Sequence, residues 1–441
     1  MKLPKFHHSQ LNRSFYLCAC LALAAIVEAV CELRRTPGVI RAWLAPNKLA
    51  DSWIPMRDAY EWFHRTHASG MYQEIFFRQH VKFQYPPSSL LLFLAARVAH
   101  IQLTATRLNY LSVAFAILEC VALGLIVYVS IPATFQASLP KSARIGLSVL
   151  VAILSLTFFP LQVAVDLGQI QAWLNTFFVL ACLCWLRNRR FAAGVLVGLI
   201  CLVKPQFGLF LIWALLRREH RFILGWAAAV VPGEALSIAY FGFANHLDYL
   251  SALSFLGRHG EVFYPNQSVN GLLNRLLGTG DSLVWNMYGF PPYNPIVYFG
   301  TVATSLIFLG FAMFYRRAER PANVFDFLIA GLTFTIASPI AWEHHYGILP
   351  AAILLAAIAA TALQPRQRTI VWILLALIWG ISARRVYPSS FAGSGWASIP
   401  HSYLFLASLA LLIILYRLRD VGNNLGKVNP SPRPANPVRT P

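Results

Sequence analysis

The sequence predicts an all-α, polytopic integral membrane protein with about twelve membrane-spanning helices. Three observations predict it. Only 12% of the 441 residues are charged, against roughly 25% in soluble domains, and 57% are hydrophobic. The apolar residues gather in runs such as 145–163 and 346–363, close to the ~20 helical residues that cross a hydrocarbon layer. The Lys and Arg residues behind the net charge of +19 stand in short clusters between those runs. They orient spans in lipid and form no basic domain that would bind nucleic acid.

Taken in order, residues 1–13 carry Lys2, Lys5 and Arg13 and are read as a cytoplasmic N-terminus. The run at about 14–32 shows no small-residue cleavage site and is read as a retained first span. Residues 33–107 form the first extracytoplasmic loop. Within it, 88–99 is apolar but too short to cross, and counting it as a span would place Arg187, Arg189 and Arg190 outside. The stretch 86–100 is therefore expected to lie in the outer interface or to re-enter from that side. Further spans follow at about 108–130, 145–163, 170–186, 191–203, 206–216, 222–242, 294–315, 323–338, 346–363, 368–383 and 402–416.

Basic clusters mark the inner side: Lys141 and Arg144, Arg187 to Arg190, Arg217 to Arg221, Arg316 to Arg320, Arg366 and Arg368, Arg417 and Arg419. The two short spans flanking Lys204-Pro205 are expected to form a hairpin whose tip points outward and stays buried in protein. The whole of 14–416 reads as one transmembrane domain, and 417–441, rich in Pro and Asn, reads as a disordered cytoplasmic tail. All seven cysteines fall in or beside spans, in neither a disulfide framework nor a metal-ligand pattern, and are read as small core residues.

This topology collects the unusual polar residues on the outer face. They are the first loop, the D-L-G-Q-I-Q turn at 166–171, the K-P-Q tip at 204–206, the P-N-Q-S stretch at 265–268, S-P-I-A-W-E-H-H at 338–345, and A-R-R at 383–385. Asp51 and Asp58 flank Pro55 in the first loop. The plain reading makes Asp51 an N-cap with Pro55 in the first helical turn, and Asp58 a surface residue beside Arg57. The chemical reading notes a carboxylate opposite Lys204, His344 and His345. A base beside a cationic pocket suits glycosyl transfer from a lipid phosphate, because the base takes the acceptor's proton and the cations meet the leaving phosphate.

The remaining candidates carry two readings each. Lys204 either snorkels at a helix end or meets phosphate. The His344-His345 pair lacks a third ligand at helical spacing, which favours hydrogen bonding to phosphate over a metal, with Glu343 orienting one ring. Arg384 and Arg385 sit outside against the charge rule and hold either the donor phosphate or lipid headgroups. Glu28, Glu119 and Glu234 lie within spans and receive no role. Trp53, Trp62 and Trp342 line the interfacial belt or stack on sugar, the belt being the simpler reading. A secondary transporter or flippase is the alternative class. Against it stand the missing internal repeat and a polar inventory confined to one face.

An early outer-loop Asp, Y-P-P at 85–87, G-Q at 168–169, V-K-P at 203–205, N-Q-S at 266–268 and S-P-I-A-W-E-H-H at 338–345 occur in this order. The set resembles glycosyltransferase family 87 of the GT-C superfamily, from about residue 14 to 416. The resemblance implies a membrane glycosyltransferase, of the hexosyltransferase type, in the plasma or inner membrane with its site facing the periplasm or exterior. It implies a polyprenyl-phosphate-linked sugar donor, usually mannose, a glycolipid or glycan acceptor, no nucleotide sugar, and inversion without a metal or other cofactor. It places the general base on the first-loop aspartate. Asp51 matches best, being followed by Pro55 and Ala59 before Gly70-Met71-Tyr72, and Asp58 is the second candidate. Donor-phosphate contacts fall on Lys204, His344, His345 and Arg384, and substrate contacts on Tyr85, Gln169, Asn266, Gln267, Trp342 and Glu343. Gln171 departs from the pattern, since many relatives carry Asn there.

Overall fold

A backbone without water must hydrogen-bond to itself, so lipid turns this chain into helices. The computed structural model describes Trp43 and residues 49–131, 139–315, 322–386 and 395–419. Among these residues there is no strand, and one isolated bridge joins Asn266 to Trp342.

The chain runs through α1 (Trp53–Thr66), a π-helical stretch Gln73–Arg78, and a 3-10 turn Pro87–Leu90 that continues into α2 (Leu91–Val98). Next come α3 (Ala105–Ser130), α4 (Lys141–Ser155), α5 (Phe159–Asp166), α6 (Gln171–Leu186) and α7 (Arg190–Cys201). A 3-10 turn at Pro205–Gly208 leads into α8 (Leu209–Leu216), followed by α9 (His220–Phe241), α10 (Phe243–His259) and α11 (Val269–Leu277). The last third holds α12 (Pro295–Phe314), α13 (Val324–Ile336), a 3-10 turn Glu343–Ile348 into α14 (Leu349–Ala359), α15 (Pro365–Ser382), and α16 (Tyr403–Leu418).

Among the described residues, five helical segments are long and apolar enough to cross a membrane: α3, α9, α12, Glu343–Ala362 and Gly395–Leu418. Helices α4 and α5, bent by 51° at their junction, make a sixth if counted as one span. The chain is a multi-pass membrane protein, but twelve complete crossings are not what the described residues contain. The expected spans at α6, α7 and α13 are apolar helices of 16, 12 and 13 residues, shorter than a bilayer is thick. Helix α15 is 18 residues long but begins with Arg366 and Arg368 in its first turns. The expected first span, the N-terminus and the residues after Arg419 lie outside the described residues. Pro87–Val98 is a short apolar helix, too short to cross.

Helix ends follow local sequence. Thr104 caps α3, Ser268 caps α11, and Asn294 caps α12 with Pro295 in the first turn. Asn323 and Asp326 form a reciprocal capping box on α13. Helix α1, like α4 and α5, starts without a side-chain cap. Ser52 takes its N-cap position, and no side chain caps the helix, so the plain reading of Asp51 as a cap does not hold.

Two packed bodies result. The bundle core gathers Phe178, Trp185, Phe210, Trp213, Phe222 and Phe327 from α6, α8, α9 and α13, with Trp185 and Phe327 stacked at 4.9 Å. A second core unites Trp53, Tyr60 and Phe63 of α1 with Tyr72, Phe83, Leu90, Phe241 and, on α10, Tyr249 and Leu256. The first loop is thus a folded cap on the bundle. Trp53 is buried inside it, donating its indole N–H to Asn109 and packing on Trp173, so it belongs neither to an interfacial belt nor to an open sugar platform. Cys120 and Cys182 are buried and Cys184 and Cys201 half-buried, all four free thiols in helices, as small core residues should be.

In lipid, helices associate through close packing more than through hydrophobic drive, and small residues allow the approach. Helices α7 and α9 show this. A Cβ on Gly194 would stand 2.1 Å from the Phe222 carbonyl oxygen, and one on Gly225 2.0 Å from that of Phe191. Gly225→Ala should therefore cost about 1–3 kcal/mol by overpacking. Thermal unfolding in detergent should show a clear loss, whereas Gly310→Ala, whose added Cβ meets nothing within 4 Å, should leave the midpoint unchanged or raised.

Candidate active site

The cap is joined to the bundle where the D-L-G-Q-I-Q turn meets the start of α1. Asp51 and Ser52 donate their backbone N–H groups to the carbonyls of Leu167 and Gly168. Gly168 makes this approach possible: its φ is +65°, and a Cβ there would lie 2.3 Å from the Leu49 carbonyl oxygen. Gln169 then bonds both residues. Its Nε2 donates to Asp51 Oδ2 at 2.5 Å, and its Oε1 accepts from Ser52 Oγ at 2.6 Å. Ser52 Oγ accepts the Ile170 N–H at 3.1 Å and lies 2.8 Å from the Tyr85 hydroxyl, so the Y-P-P tyrosine closes the ring.

Asp51 remains open to solvent although protein surrounds it on its other sides. That partial enclosure raises its carboxyl pKa, while the Gln169 amide and the charge of Lys82 pull it back down. A raised carboxylate is a stronger base that is still reachable from water. Asp58 sits two turns further along α1, about 39% exposed and paired at 3.5 Å with its neighbour Arg57.

A second junction joins P-N-Q-S to S-P-I-A-W-E-H-H. Asn266 donates to the Glu261 and Pro339 carbonyls and accepts from the Ala341 N–H. Gln267 donates to the carbonyls of Tyr264 and His401 and accepts from the Leu404 N–H. Glu343 N–H bonds the Pro265 carbonyl, and the Tyr346 hydroxyl donates to that of Gln267. Both side chains are fully buried with these hydrogen bonds made, so in this structure they hold backbone in place. Glu343 accepts from the Tyr403 hydroxyl at 2.9 Å and lies in the field of Arg275 and Arg385. Arg275, invisible to the sequence reading, is 1% exposed and ties Asn266 O to Ser402 Oγ. It sits on an ordinary amphipathic helix, and no sequence signal distinguishes it. Arg384 is exposed at the end of α15.

These clips present the two histidines to the K-P-Q tip. Lys204 Nζ stands 2.6 Å from His345 Nε2, with both residues buried. When Lys204 carries its extra proton it can only donate, Nε2 is then the acceptor, and the His345 ring proton sits on Nδ1. His344 packs edge-on against His345, and its carbonyl accepts from Asn175. A narrow recess opens beside the pair, lined by Gln171, Lys204, Gln206, Phe207, Thr335 and His345. Gln171, two residues after the Asp51 clamp, also donates to Asn175. One turn therefore has Asp51 at one end and the nitrogen cluster at the other. The Y-P-P segment links to the same hairpin, since Ser88 Oγ donates to the Leu202 carbonyl.

The sequence reading also missed Lys82. It bridges Glu261 at 3.0 Å and lies over the rings of Trp285 and Phe290, at 3.8 and 4.2 Å. Trp342 packs against Trp285, centroids 5.2 Å apart, and is half-buried. A lysine next to F-Q-Y-P-P carries no local signal, because its partner Glu261 is 179 positions away. Among the described residues no group of three or more His, Cys, Asp or Glu could hold a metal ion.

The sequence profile of glycosyltransferase family 87 matches residues 83–339. That stretch contains Tyr85, Gln169, Lys204, Asn266 and Gln267; His344-His345 fall just past its end, and Asp51 lies well before its start. A curated protein of Mycolicibacterium smegmatis is 26% identical over 302 residues, covering 66% of this chain and 64% of that protein. Its name is polyprenol-phosphate-mannose-dependent alpha-(1-2)-phosphatidylinositol mannoside mannosyltransferase. The match spans a little under two thirds of that relative's own length. No solved structure matches.

The clamp geometry makes Gly168 sensitive. Gly168→Ala forces a left-handed backbone on a residue with a Cβ and drives that Cβ into Leu49, at about 1–3 kcal/mol for the backbone alone. A lowered unfolding midpoint together with loosened protease protection of residues 49–66 is expected.

Proposed function

The chain belongs to glycosyltransferase family 87, and on that premise we propose that it transfers a sugar, mannose, from a polyprenyl-phosphate donor to an acceptor hydroxyl at the extracytoplasmic face. The observation that carries this reading is the turn 169–171, with Gln169 gripping a solvent-open carboxylate and Gln171 lining the Lys204–His345 recess. Base and phosphate partners thus sit on one short scaffold.

In this mechanism the prenyl tail lies between helices and the donor phosphate meets Lys204 and the Nδ1–H of His345, with His344 beside them. Asp51 removes the proton from the acceptor hydroxyl. That oxygen forms a bond to the anomeric carbon as the bond to phosphate breaks, and the electron pair leaves on polyprenyl phosphate. Attack opposite the leaving group inverts the configuration. Buried nitrogens meet the new charge without a metal. Trp342, half-buried against Trp285 beside the Asn266 clip, and Tyr85 face the substrate space in this reading. The phosphatidylinositol mannoside in the relative's name makes a mannosylated glycolipid the first acceptor class to test.

Asp51→Asn should lower transfer from radiolabelled polyprenyl-phosphate mannose by about 100-fold or more while folding and donor binding persist, and Asp58→Asn should leave it near normal. The reverse pattern would move the base to Asp58, and uptake into liposomes without transfer would revive the transporter reading. Lys204→Met and His345→Ala should raise the donor KM, and EDTA should leave the rate unchanged. Because burial raises the Asp51 carboxyl, the acid limb of kcat/KM should lie above the ordinary carboxylate range. Activity is then full above that raised value and lost as pH falls through it.

A further inference from the structure

Among the described residues, Lys82 is the cation whose charge favours the ionised Asp51 carboxylate. It follows the buried Ile75–Phe76 pair and precedes Phe83 and Tyr85, whose hydroxyl bonds Ser52, so the segment 82–85 runs directly past the base. Its ammonium is immobilised from three sides: Glu261 Oε2 at 3.0 Å, the Trp285 ring at 3.8 Å and the Phe290 ring at 4.2 Å. Glu261 is in turn fixed by backbone, with its carboxylate accepting the Val262 N–H and its own N–H bonded to Asn270 Oδ1. Such a cage of carboxylate and aromatic faces holds a cation without quenching it completely.

From this arrangement we propose that Lys82 is a positioning residue of the transfer reaction, a caged cation whose field keeps the Asp51 carboxylate charged and ready to accept a proton. The inference rests on Asp51 being the base. Supporting it, burial pushes the Asp51 carboxyl up and Lys82 opposes that push, while burial pulls the Lys82 ammonium down and Glu261 and Asp51 push it back. The other groups facing Asp51 are the neutral Gln169 amide at its oxygen and the Tyr85 phenol. On its own helix, Arg57 and Asp58 pair with each other. Among the described residues, Lys82 therefore adds its charge to the larger pull of the Gln169 amide on the Asp51 carboxyl.

The test compares Lys82→Met, Lys82→Arg and the double variant Lys82→Met/Glu261→Gln, the last removing the buried carboxylate that Lys82→Met would leave unpaired. With polyprenyl-phosphate mannose as donor, both Met variants should lose several-fold more kcat/KM at acid than at alkaline pH, their acid limb moving to higher pH. Lys82→Arg should keep the parent limb. A uniform loss at every pH would reduce Lys82 to a packing role and overturn the proposal. A second measurement reads the field directly. In an Asp51→Cys background, the pH dependence of thiol alkylation should shift upward when Lys82 becomes Met. An unmoved thiol limb overturns the inference whatever the activity data say, whereas a shifted limb in a protein whose Asp51→Asn variant stays active overturns only the assignment of the base.

Discussion

The clamp of Gln169 on Asp51 and Ser52 is the interaction from which the rest of the site is arranged. One amide uses both of its ends, donating to the carboxylate and accepting from the hydroxyl, and the glycine before it lets backbone reach backbone. With the Trp53–Asn109 and Ser88–Leu202 bonds, that contact helps join the bundle core to the cap core. It also decides what Asp51 is. A carboxylate at the start of α1 would ordinarily turn to the free N–H groups of its own helix. Here it is turned away from them, towards an amide from the 166–171 turn, and left open on one side to water.

The same economy governs the second junction. Asn266 and Gln267 lie where a polar loop must pass between helices, and a buried backbone group without a partner is costly. Their amides satisfy the backbone of three other segments, which fixes the irregular run 339–342 and hence the place of His344 and His345. Arg275 reinforces this from behind. Polar residues that a sequence reader would assign to substrate thus act, in this structure, as the frame that aims others.

The charges around Asp51 are arranged as a chain of partial compensations. Burial opposes ionisation of Asp51, Lys82 favours it, and Glu261 with two aromatic rings steadies Lys82. Each member is a group that lipid or protein would reject alone. Together they make a carboxylate that is basic without being permanently neutral, beside a separate, buried nitrogen cluster suited to an anion.

What the sequence by itself determined is the solvent and the inventory. Scarce charge, apolar runs and basic clusters specify helices in a membrane, because each acts through composition or through neighbours in the chain. The motifs that matter, G-Q, K-P, N-Q-S and W-E-H-H, were legible for the same reason: polarity is conspicuous in an apolar text. The number of complete crossings was not, since α6, α7 and α13 are apolar yet short, and hydropathy does not say whether a short helix crosses or stops inside the protein. Only the tertiary structure set Asp51 in the Gln169 clamp and Asp58 beside Arg57, buried Trp53 in the cap, and brought Lys82 and Arg275 to their partners. Asp51, Lys82 and Arg275 depend on partners more than a hundred residues away, and a contact of that kind leaves no trace in the local pattern of either residue.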